Sequence, residues 1–254
     1  MTFCADCVKG FVHEGIPQGK VEEIGGINTY VAIPTEDDYP KDTVILFLTD
    51  VFGLELVNNK LLADDFARNG WKVVVPDLFN GDPVPKDAHN PGAAYDVMKW
   101  LHSGHTPADV RPIIDKVVAA LKEEGVTKFL VTGYCFGARF VFDLAFDKVI
   151  DVAVVSHPSL LELPQDLEKY LTTAEAPLLI NSASNDRRLN LEHQANADRI
   201  LGNGNFAPGY KREHFEGCDH GFAVRGDLTN PQVKAGKEGA FRATVTWFKN
   251  NSKA

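Results

Sequence analysis

The segment "VTGYCFGARFVF", residues 131–142, ends an apolar run and begins a stretch with helical periodicity. In it, Cys135 lies two residues after Gly133 and two residues before Gly137. On a sharp strand-to-helix turn, side chains at those two positions would collide, so the turn requires glycine at both. The spacing therefore predicts a strand, a tight turn that carries the Cys135 thiol, and a helix. A helix N-terminus favours the thiolate, whereas most free cysteines behave as small buried hydrophobes.

Outside this segment the chain alternates between short apolar runs and helical patterns. Continuous apolar runs are typical of strands covered on both faces of a parallel sheet. Such runs occupy residues 43–49, 71–76, 128–133, 151–156 and 177–182, and alternating apolar and polar residues occupy 27–34 and 211–217. Helical patterns occupy residues 57–69, 107–124, 136–147, 190–204 and 234–250. The alternation predicts an α/β fold with a mostly parallel, doubly wound sheet flanked by helices and no large lid domain, in one domain spanning residues 1–254.

The composition argues against several classes of partner. The chain has 254 residues, with 26 Lys and Arg against 35 Asp and Glu, for a net charge of −9. Nucleic-acid binding requires clustered cations, so we expect no nucleic-acid partner and no docking on anionic membranes. No segment reaches the roughly 18 apolar residues of a membrane-spanning helix, and residues 1–15 lack the apolar run of a signal peptide. We expect a cytoplasmic protein, monomeric or homodimeric, that acts on a small molecule.

Two further residues follow predicted strands at positions that suit catalysis. Active sites of doubly wound sheets lie at the carboxyl ends of the strands. A cysteine nucleophile needs a base, and the base needs an orienting carboxylate. Asp186 follows the run at 177–182, and His220 follows the stretch at 211–217. Asp186 alone would be interpreted as a turn residue and His220 alone as a surface histidine, but the order nucleophile, acid, histidine predicts a triad of Cys135, Asp186 and His220.

The other cysteines and a second histidine have simpler interpretations. Cys4 and Cys7 form a C-x-x-C motif, but zinc needs about four ligands and only His13 is close, so we interpret both as incidental thiols and expect no metal. Cys218 is interpreted as a packing residue, with contact to the site as the alternative. His157 follows the run at 151–156, and we expect it to make a structural hydrogen bond, with a place in the lining of the pocket as the alternative. No glycine-rich phosphate-binding motif occurs, so we expect no cofactor.

Five segments together resemble the dienelactone hydrolase family, the carboxymethylenebutenolidase-like branch of the α/β-hydrolases. They are "DVFGL" at 50–54, "PDLF" at 76–79, "GYCFGA" at 133–138, "ASNDR" at 183–187 and "DHGFAVRG" at 219–226. The resemblance implies an α/β-hydrolase fold and hydrolysis of a small ester or lactone through an acyl-enzyme on Cys135. His220 would act as the base, and Asp186 would orient its imidazole.

The resemblance also implies the parts that surround the nucleophile. The backbone N–H groups of Val51 and Phe136 would form an oxyanion hole. Asp50 and Arg225 would contact the substrate or the thiol. Bacterial members have Glu at the position of Asp50 and a second arginine near Gly81, which this chain lacks.

Apolar contacts to the substrate are expected from Phe52 and Phe79, with core packing as the alternative for each.

Two other functions fit the same sequence. One is a non-catalytic ligand-binding or sensor protein on a hydrolase fold. The other is a thioesterase that uses the same triad.

Overall fold

One eight-stranded sheet organises the described part of the chain. The computed structural model describes Cys7, residues 9–89 and residues 95–252, and Cys4 lies outside the described residues. The strands are β1 (Lys20–Ile24), β2 (Ile27–Ala32), β3 (Thr43–Leu48), β4 (Lys72–Pro76), β5 (Lys128–Tyr134), β6 (Val152–Ser156), β7 (Leu178–Ala183) and β8 (Tyr210–Phe215). The helices are α1 (Val57–Ala67), α2 (Val97–His102), α3 (Pro107–Glu123), α4 (Gly137–Phe146), α5 (Gln165–Thr173), α6 (Leu191–Leu201), α7 (Phe222–Arg225) and α8 (Pro231–Asn251).

The strand order is β1-β2-β4-β3-β5-β6-β7-β8. All neighbours from β4 to β8 pair in parallel, and β2 pairs antiparallel with both β1 and β4. The predicted α/β fold with a mostly parallel sheet flanked by helices is therefore confirmed. Because the parallel strands share one direction, the turns after β3, β5, β6, β7 and β8 lie at the same edge of the sheet.

Burial along the strands explains their sequence patterns. β3, β6 and β7 are buried along their whole length, because helices cover both faces of the centre of a parallel sheet. β8 lies at the edge and alternates between half-buried and exposed residues. The helix α4 is buried on most of its surface and packs against β3, β5 and β6. Its buried position fixes the turn that precedes it.

Four elements of the structure are not predicted by the sequence patterns. β1 is exposed except at its last residue and pairs with β2 alone, so burial imposes no apolar pattern on it. The helices α2, α5 and α7 are short, at six, nine and four residues, which leaves little room for a periodic signal. In contrast, α8 begins three residues before the predicted start, because Asn230 caps it and Pro231 occupies its first turn. Among the described residues, no helix is long and apolar enough to cross a membrane.

Candidate active site

The turn between β5 and α4 holds Cys135 in a left-handed backbone conformation, with a φ of 49°. A Cβ on Gly133 would lie 2.5 Å from a methyl group of Val141, and a Cβ on Gly137 would lie 2.2 Å from the carbonyl oxygen of Leu48. Both contacts are too short for any side chain, so the two framing glycines are required. The predicted strand, tight turn and helix are confirmed, and the close approach of Gly137 seats the start of α4 on the end of β3.

The structure brings Cys135, Asp186 and His220 together. His220 Nδ1 lies 2.9 Å from Asp186 Oδ2, and both side chains are almost fully buried. The other carboxylate oxygen of Asp186 accepts a hydrogen bond of 2.7 Å from the backbone N–H of Arg188. On the opposite side of the imidazole, His220 Nε2 faces Ser159, and a ring nitrogen of His220 lies within 4.8 Å of Cys135 Sγ. The order of the three residues along the chain thus corresponds to a contiguous arrangement in space.

Ser159 lies between the thiol and the imidazole. Its Oγ is 3.3 Å from Cys135 Sγ and 3.4 Å from His220 Nε2. Its backbone N–H donates to the carbonyl of Cys135 at 2.9 Å, which fixes the loop after β6 against the turn after β5. Sequence analysis missed this residue. Its position three residues after β6, at the carboxyl edge of the sheet, is the signal that could have found it.

Cys7 also lies in this cluster, so its interpretation as an incidental thiol is wrong. It is fully buried, and its Sγ lies 3.6 Å from Ser159 Oγ and 3.9 Å from His220 Nε2. The contact joins distant parts of the chain, since Cys7 and His220 are 213 residues apart. Spacing within the C-x-x-C motif carries no information about a contact at such a separation.

The surroundings of Cys135 favour its ionised form. Burial opposes ionisation of the thiol, but a hydrogen bond with Cys7 and the charge of Arg225 outweigh burial, with help from Ser159. The pKa of Cys135 is therefore lowered. Burial likewise disfavours the imidazolium form of His220, yet the carboxylate of Asp186 dominates and raises the pKa of His220. The two shifts have the signs that a thiolate–imidazolium pair requires.

Asp50 and Arg225 form a second buried pair beside the thiol. Arg225 Nη1 donates to Asp50 Oδ2 at 2.6 Å, and both side chains are almost fully buried. The other oxygen of Asp50 accepts from the side chain of Asn59 at 3.1 Å. Arg225 also donates to the backbone carbonyls of Cys7 and Lys9, at 2.9 and 2.5 Å. The guanidinium therefore fastens the segment that carries Cys7, and a direct contact of Arg225 with substrate stays a prediction.

The predicted oxyanion donors lie on the two turns that meet at the site. Val51 follows β3 and Phe136 follows Cys135, and both residues are fully buried. The aromatic residues differ in their surroundings. The ring of Phe52 lies 5.5 Å from the guanidinium of Arg225, whereas Phe79 packs edge-on against Trp100 and Phe136. Phe79 thus belongs to an aromatic cluster in the core, and its predicted contact with substrate stays a prediction.

His157 does not make the structural hydrogen bond that the sequence suggested. Both ring nitrogens are buried, and neither has a hydrogen-bond partner among the described residues. The ring packs edge-on against His220 and Phe222, with centroid distances of 5.1 and 5.7 Å. Burial and the positive charges nearby hold the pKa of His157 well below its usual value, so it packs against His220 as a neutral ring.

Two cavities border the cluster. One, of about 730 Å³, is lined by His220 together with Phe11, Arg187 and Asp219. The other, of about 310 Å³, is lined by Ser159 and again by Arg187. Among the described residues, His220 and Ser159 thus face open space, whereas Cys135 is fully buried beneath them.

The sheet order, the turn at Cys135 and the buried imidazole–carboxylate pair define an α/β-hydrolase. The chain belongs to the dienelactone hydrolase family, whose model matches residues 27–252. This membership confirms the resemblance that the sequence motifs indicated. The protein is therefore a hydrolase of the ester and lactone class.

Individual relatives agree with the family. The chain is 39% identical to "Hydrolase pyvD" of Aspergillus violaceofuscus, over 95% of this chain and 94% of the relative. It is 32% identical to "Hydrolase tropI" of Talaromyces stipitatus, over 95% of this chain and 94% of that protein. Among solved structures, a dienelactone hydrolase-like promiscuous phosphotriesterase, P91, from metagenomic libraries is 16% identical. It superposes with a TM-score of 0.68 over 93% of this chain and 99% of that one, which shows the shared fold.

Proposed function

We propose that the protein hydrolyses small esters or lactones with Cys135 as a covalent nucleophile. One observation carries the proposal. A continuous series of contacts leads from Cys135 Sγ to Ser159 Oγ at 3.3 Å, on to His220 Nε2 at 3.4 Å, and from His220 Nδ1 to Asp186 at 2.9 Å. A nucleophile, a base and an orienting carboxylate in this arrangement are the parts of a triad.

In the first half-reaction, the Cys135 thiolate attacks the carbonyl carbon and forms a sulfur–carbon bond. The electron pair of the carbonyl moves to oxygen, where the backbone N–H groups of Val51 and Phe136 would stabilise the oxyanion. The ester carbon–oxygen bond then breaks, and the imidazolium of His220 gives its proton to the leaving alkoxide. An acyl-enzyme remains.

In the second half-reaction, neutral His220 takes a proton from water, and the oxygen of that water attacks the acyl carbon. The sulfur–carbon bond breaks, which releases the carboxylic acid and restores the thiolate and the imidazolium. Asp186 keeps the Nδ1–H of His220 directed at its own carboxylate throughout, so that Nε2 faces the reacting atoms.

Ser159 positions these two partners. Its hydroxyl can accept a hydrogen bond from the Nε2–H of an imidazolium and donate one to a thiolate, because a hydroxyl does both at once. The separations of 3.4 Å to His220 and 3.3 Å to Cys135 suit this role. The hydroxyl would thus stabilise the charged resting pair until substrate replaces that contact.

The lining of the larger cavity supports an uncharged substrate. Two cations, Lys9 and Arg187, face two acids, Asp219 and Asp227, around it. The buried charge of Arg225 is offset by Asp50. A volume of about 730 Å³ falls in the range of small-molecule sites. A neutral ester or lactone fits such balanced charge better than a dianion.

We also propose that residues 1–254 form one domain that works in the cytoplasm. Cys7, Cys135 and Cys218 are free thiols, and a cysteine nucleophile depends on a compartment that keeps thiols reduced.

The test is the Cys135→Ala variant assayed beside Cys218→Ala, which removes a second buried thiol. With a panel of an aryl ester, a simple lactone and a dienelactone, we expect Cys135→Ala to lose kcat by at least about 10⁴-fold, as loss of a triad nucleophile does in other hydrolases. Cys218→Ala should keep its activity. Full turnover of any panel ester by Cys135→Ala would refute the proposal, and so would a wild-type protein that binds these compounds without hydrolysing them.

A further inference from the structure

Four polar side-chain atoms converge on one point of the site. Cys7 Sγ, Cys135 Sγ and a ring nitrogen of His220 all lie within 4.8 Å of one another, and the nitrogen that faces Cys7 is Nε2. Ser159 Oγ lies 3.6 Å from the first, 3.3 Å from the second and 3.4 Å from the third. The four atoms therefore occupy the corners of a compact tetrahedron, and Cys7 supplies a corner that the proposed triad does not use.

The size of this tetrahedron suits a zinc ion. Zinc bonds of about 2.3 Å to sulfur and about 2.0–2.1 Å to nitrogen place two tetrahedral sulfurs about 3.8 Å apart, and a sulfur and a nitrogen about 3.6 Å apart. The distance between Cys7 Sγ and His220 Nε2 is 3.9 Å. The remaining separations among the three ligands stay below 4.8 Å, so closure requires shifts of about 1 Å at most.

The types of donor atom also favour zinc over other metal ions. Two thiolates and an imidazole form a Cys₂His set, which holds zinc in known enzymes with a fourth position left open. Soft thiolates favour zinc over magnesium or calcium. Two thiolate charges would offset the charge of the ion.

Two further contacts prepare the ligands. Asp186 accepts the Nδ1–H of His220 at 2.9 Å, and such a carboxylate commonly orients a zinc-bound histidine. Arg225 holds the backbone carbonyl of Cys7 at 2.9 Å. The ligand from the distant N-terminal segment is therefore fixed in place before any ion binds.

We propose that Cys7, Cys135 and His220 bind Zn²⁺, with the Ser159 hydroxyl at or beside the fourth position. Binding displaces the proton of the Cys7 thiol and the Nε2 proton of the His220 imidazolium, and both pass to solvent, whereas Cys135 binds as the thiolate of the resting pair. The bound ion takes up the lone pairs of the Cys135 sulfur and of His220 Nε2, which ester hydrolysis would need, so zinc should inhibit hydrolysis. That inhibition rests on the proposed function, whereas zinc binding itself does not.

The test begins with Co²⁺ and Zn²⁺ titrations of the full chain. Co²⁺ bound by thiolates in tetrahedral geometry gives a sulfur-to-cobalt charge-transfer absorption and intense visible bands, and Zn²⁺ should displace it at one equivalent. We expect wild type and the matched control Cys218→Ser to bind equally. Cys7→Ser and Cys135→Ala should each weaken binding by at least about 10-fold, since even loss of an outer carboxylate costs about 10–100-fold.

A second measurement needs no variant. X-ray absorption at the zinc edge of the loaded wild-type protein should find two sulfur neighbours at about 2.3 Å and nitrogen or oxygen neighbours at about 2.0–2.1 Å. No thiolate band with Co²⁺, equal affinity in Cys7→Ser, or a shell without two sulfurs would each overturn the zinc site. If Cys135→Ala loses hydrolysis but wild type does not bind zinc, only the zinc site is refuted. If wild type binds zinc but Cys135→Ala keeps hydrolysis, only the proposed function is refuted.

Discussion

Cys135 and Cys218 are both fully buried thiols, yet their pKa values shift in opposite directions. Burial raises the pKa of Cys218 to about 11, and the carboxylates of Asp219 and Glu216 add to that shift. Burial acts on Cys135 in the same direction, but the Cys7 hydrogen bond and the charge of Arg225 reverse the result. Burial alone thus makes a thiol inert, and donors and a cation beside the sulfur are what make a buried thiol reactive.

The backbone surroundings of the two sulfurs also separate a reactive thiol from a packing thiol. Cys135 lies on a strained turn at the carboxyl edge of the sheet, with a φ of 49°. Cys218 lies against α8, where a Cβ on Gly236 would come within 2.4 Å of its Sγ. The first sulfur is placed for contact with polar side chains, and the second fills space beside a glycine.

After loss of the nucleophile itself, the largest expected effect comes from Asp186→Asn. An amide cannot hold His220 in the same tautomer or raise the pKa of its imidazole, so we expect kcat to fall about 10⁴-fold, as in other triads. The measurement is kcat at saturating aryl ester, with circular dichroism to show that the fold is intact. Glu216→Gln is the control, because it removes a carboxylate near Cys218 and should leave kcat unchanged. Equal kcat values for the two variants would show that the carboxylate beside His220 matters no more for turnover than the one near Cys218.

The next effect concerns the cation that lowers the pKa of Cys135. Arg225→Met leaves the carboxylate of Asp50 buried without its partner, which should cost about 3–5 kcal/mol in the free energy of unfolding. Arg242→Met is the matched control. It breaks an exposed pair with Glu238 on α8, and exposed pairs contribute about 0–1 kcal/mol. Urea unfolding measures both, and equal losses would contradict the assigned importance of the buried pair.

These contacts also mark the limit of what the sequence could predict. The turn at Cys135 was predictable because its requirement for glycine is local. Asp186 and His220 were predictable because each follows a recognisable strand and the fold fixes their order. Cys7 was not predictable, because the contact with His220 joins residues 213 apart.

The same reasoning applies to the rest of the fold. The five buried strands of the parallel sheet carry apolar runs, since both faces are covered. The polar hairpin strand β1 is exposed and carries no such pattern. The pairing of Asp50 with Arg225 joins residues 175 apart. Long-range polar contacts therefore stay hidden even where every strand end is correctly placed.

A pH titration sharpens the comparison between the thiols directly. The pKa of Cys135 is lowered from 9.0, so its thiolate absorbance in the ultraviolet should already be present below pH 9. The pKa of Cys218 is about 11, so its thiolate should appear only as the pH approaches that value. Subtracting the spectra of Cys135→Ala and Cys218→Ala from wild type isolates each thiol. Coincident titrations would mean that neighbours do not offset burial at Cys135.

The smallest expected effect tests whether Cys218 is a packing residue. Gly236→Ala places a methyl group within 2.4 Å of Cys218 Sγ, and such overpacking should cost about 1–3 kcal/mol of unfolding free energy. Cys218→Ala removes the obstructing sulfur, so in that background Gly236→Ala should become neutral or stabilise α8 by up to about 1 kcal/mol, because alanine is the better helix former. Urea midpoints of the four proteins give the coupling. Additive losses would show that the sulfur does not pack on this glycine, and Cys218 would then need a role other than filling space.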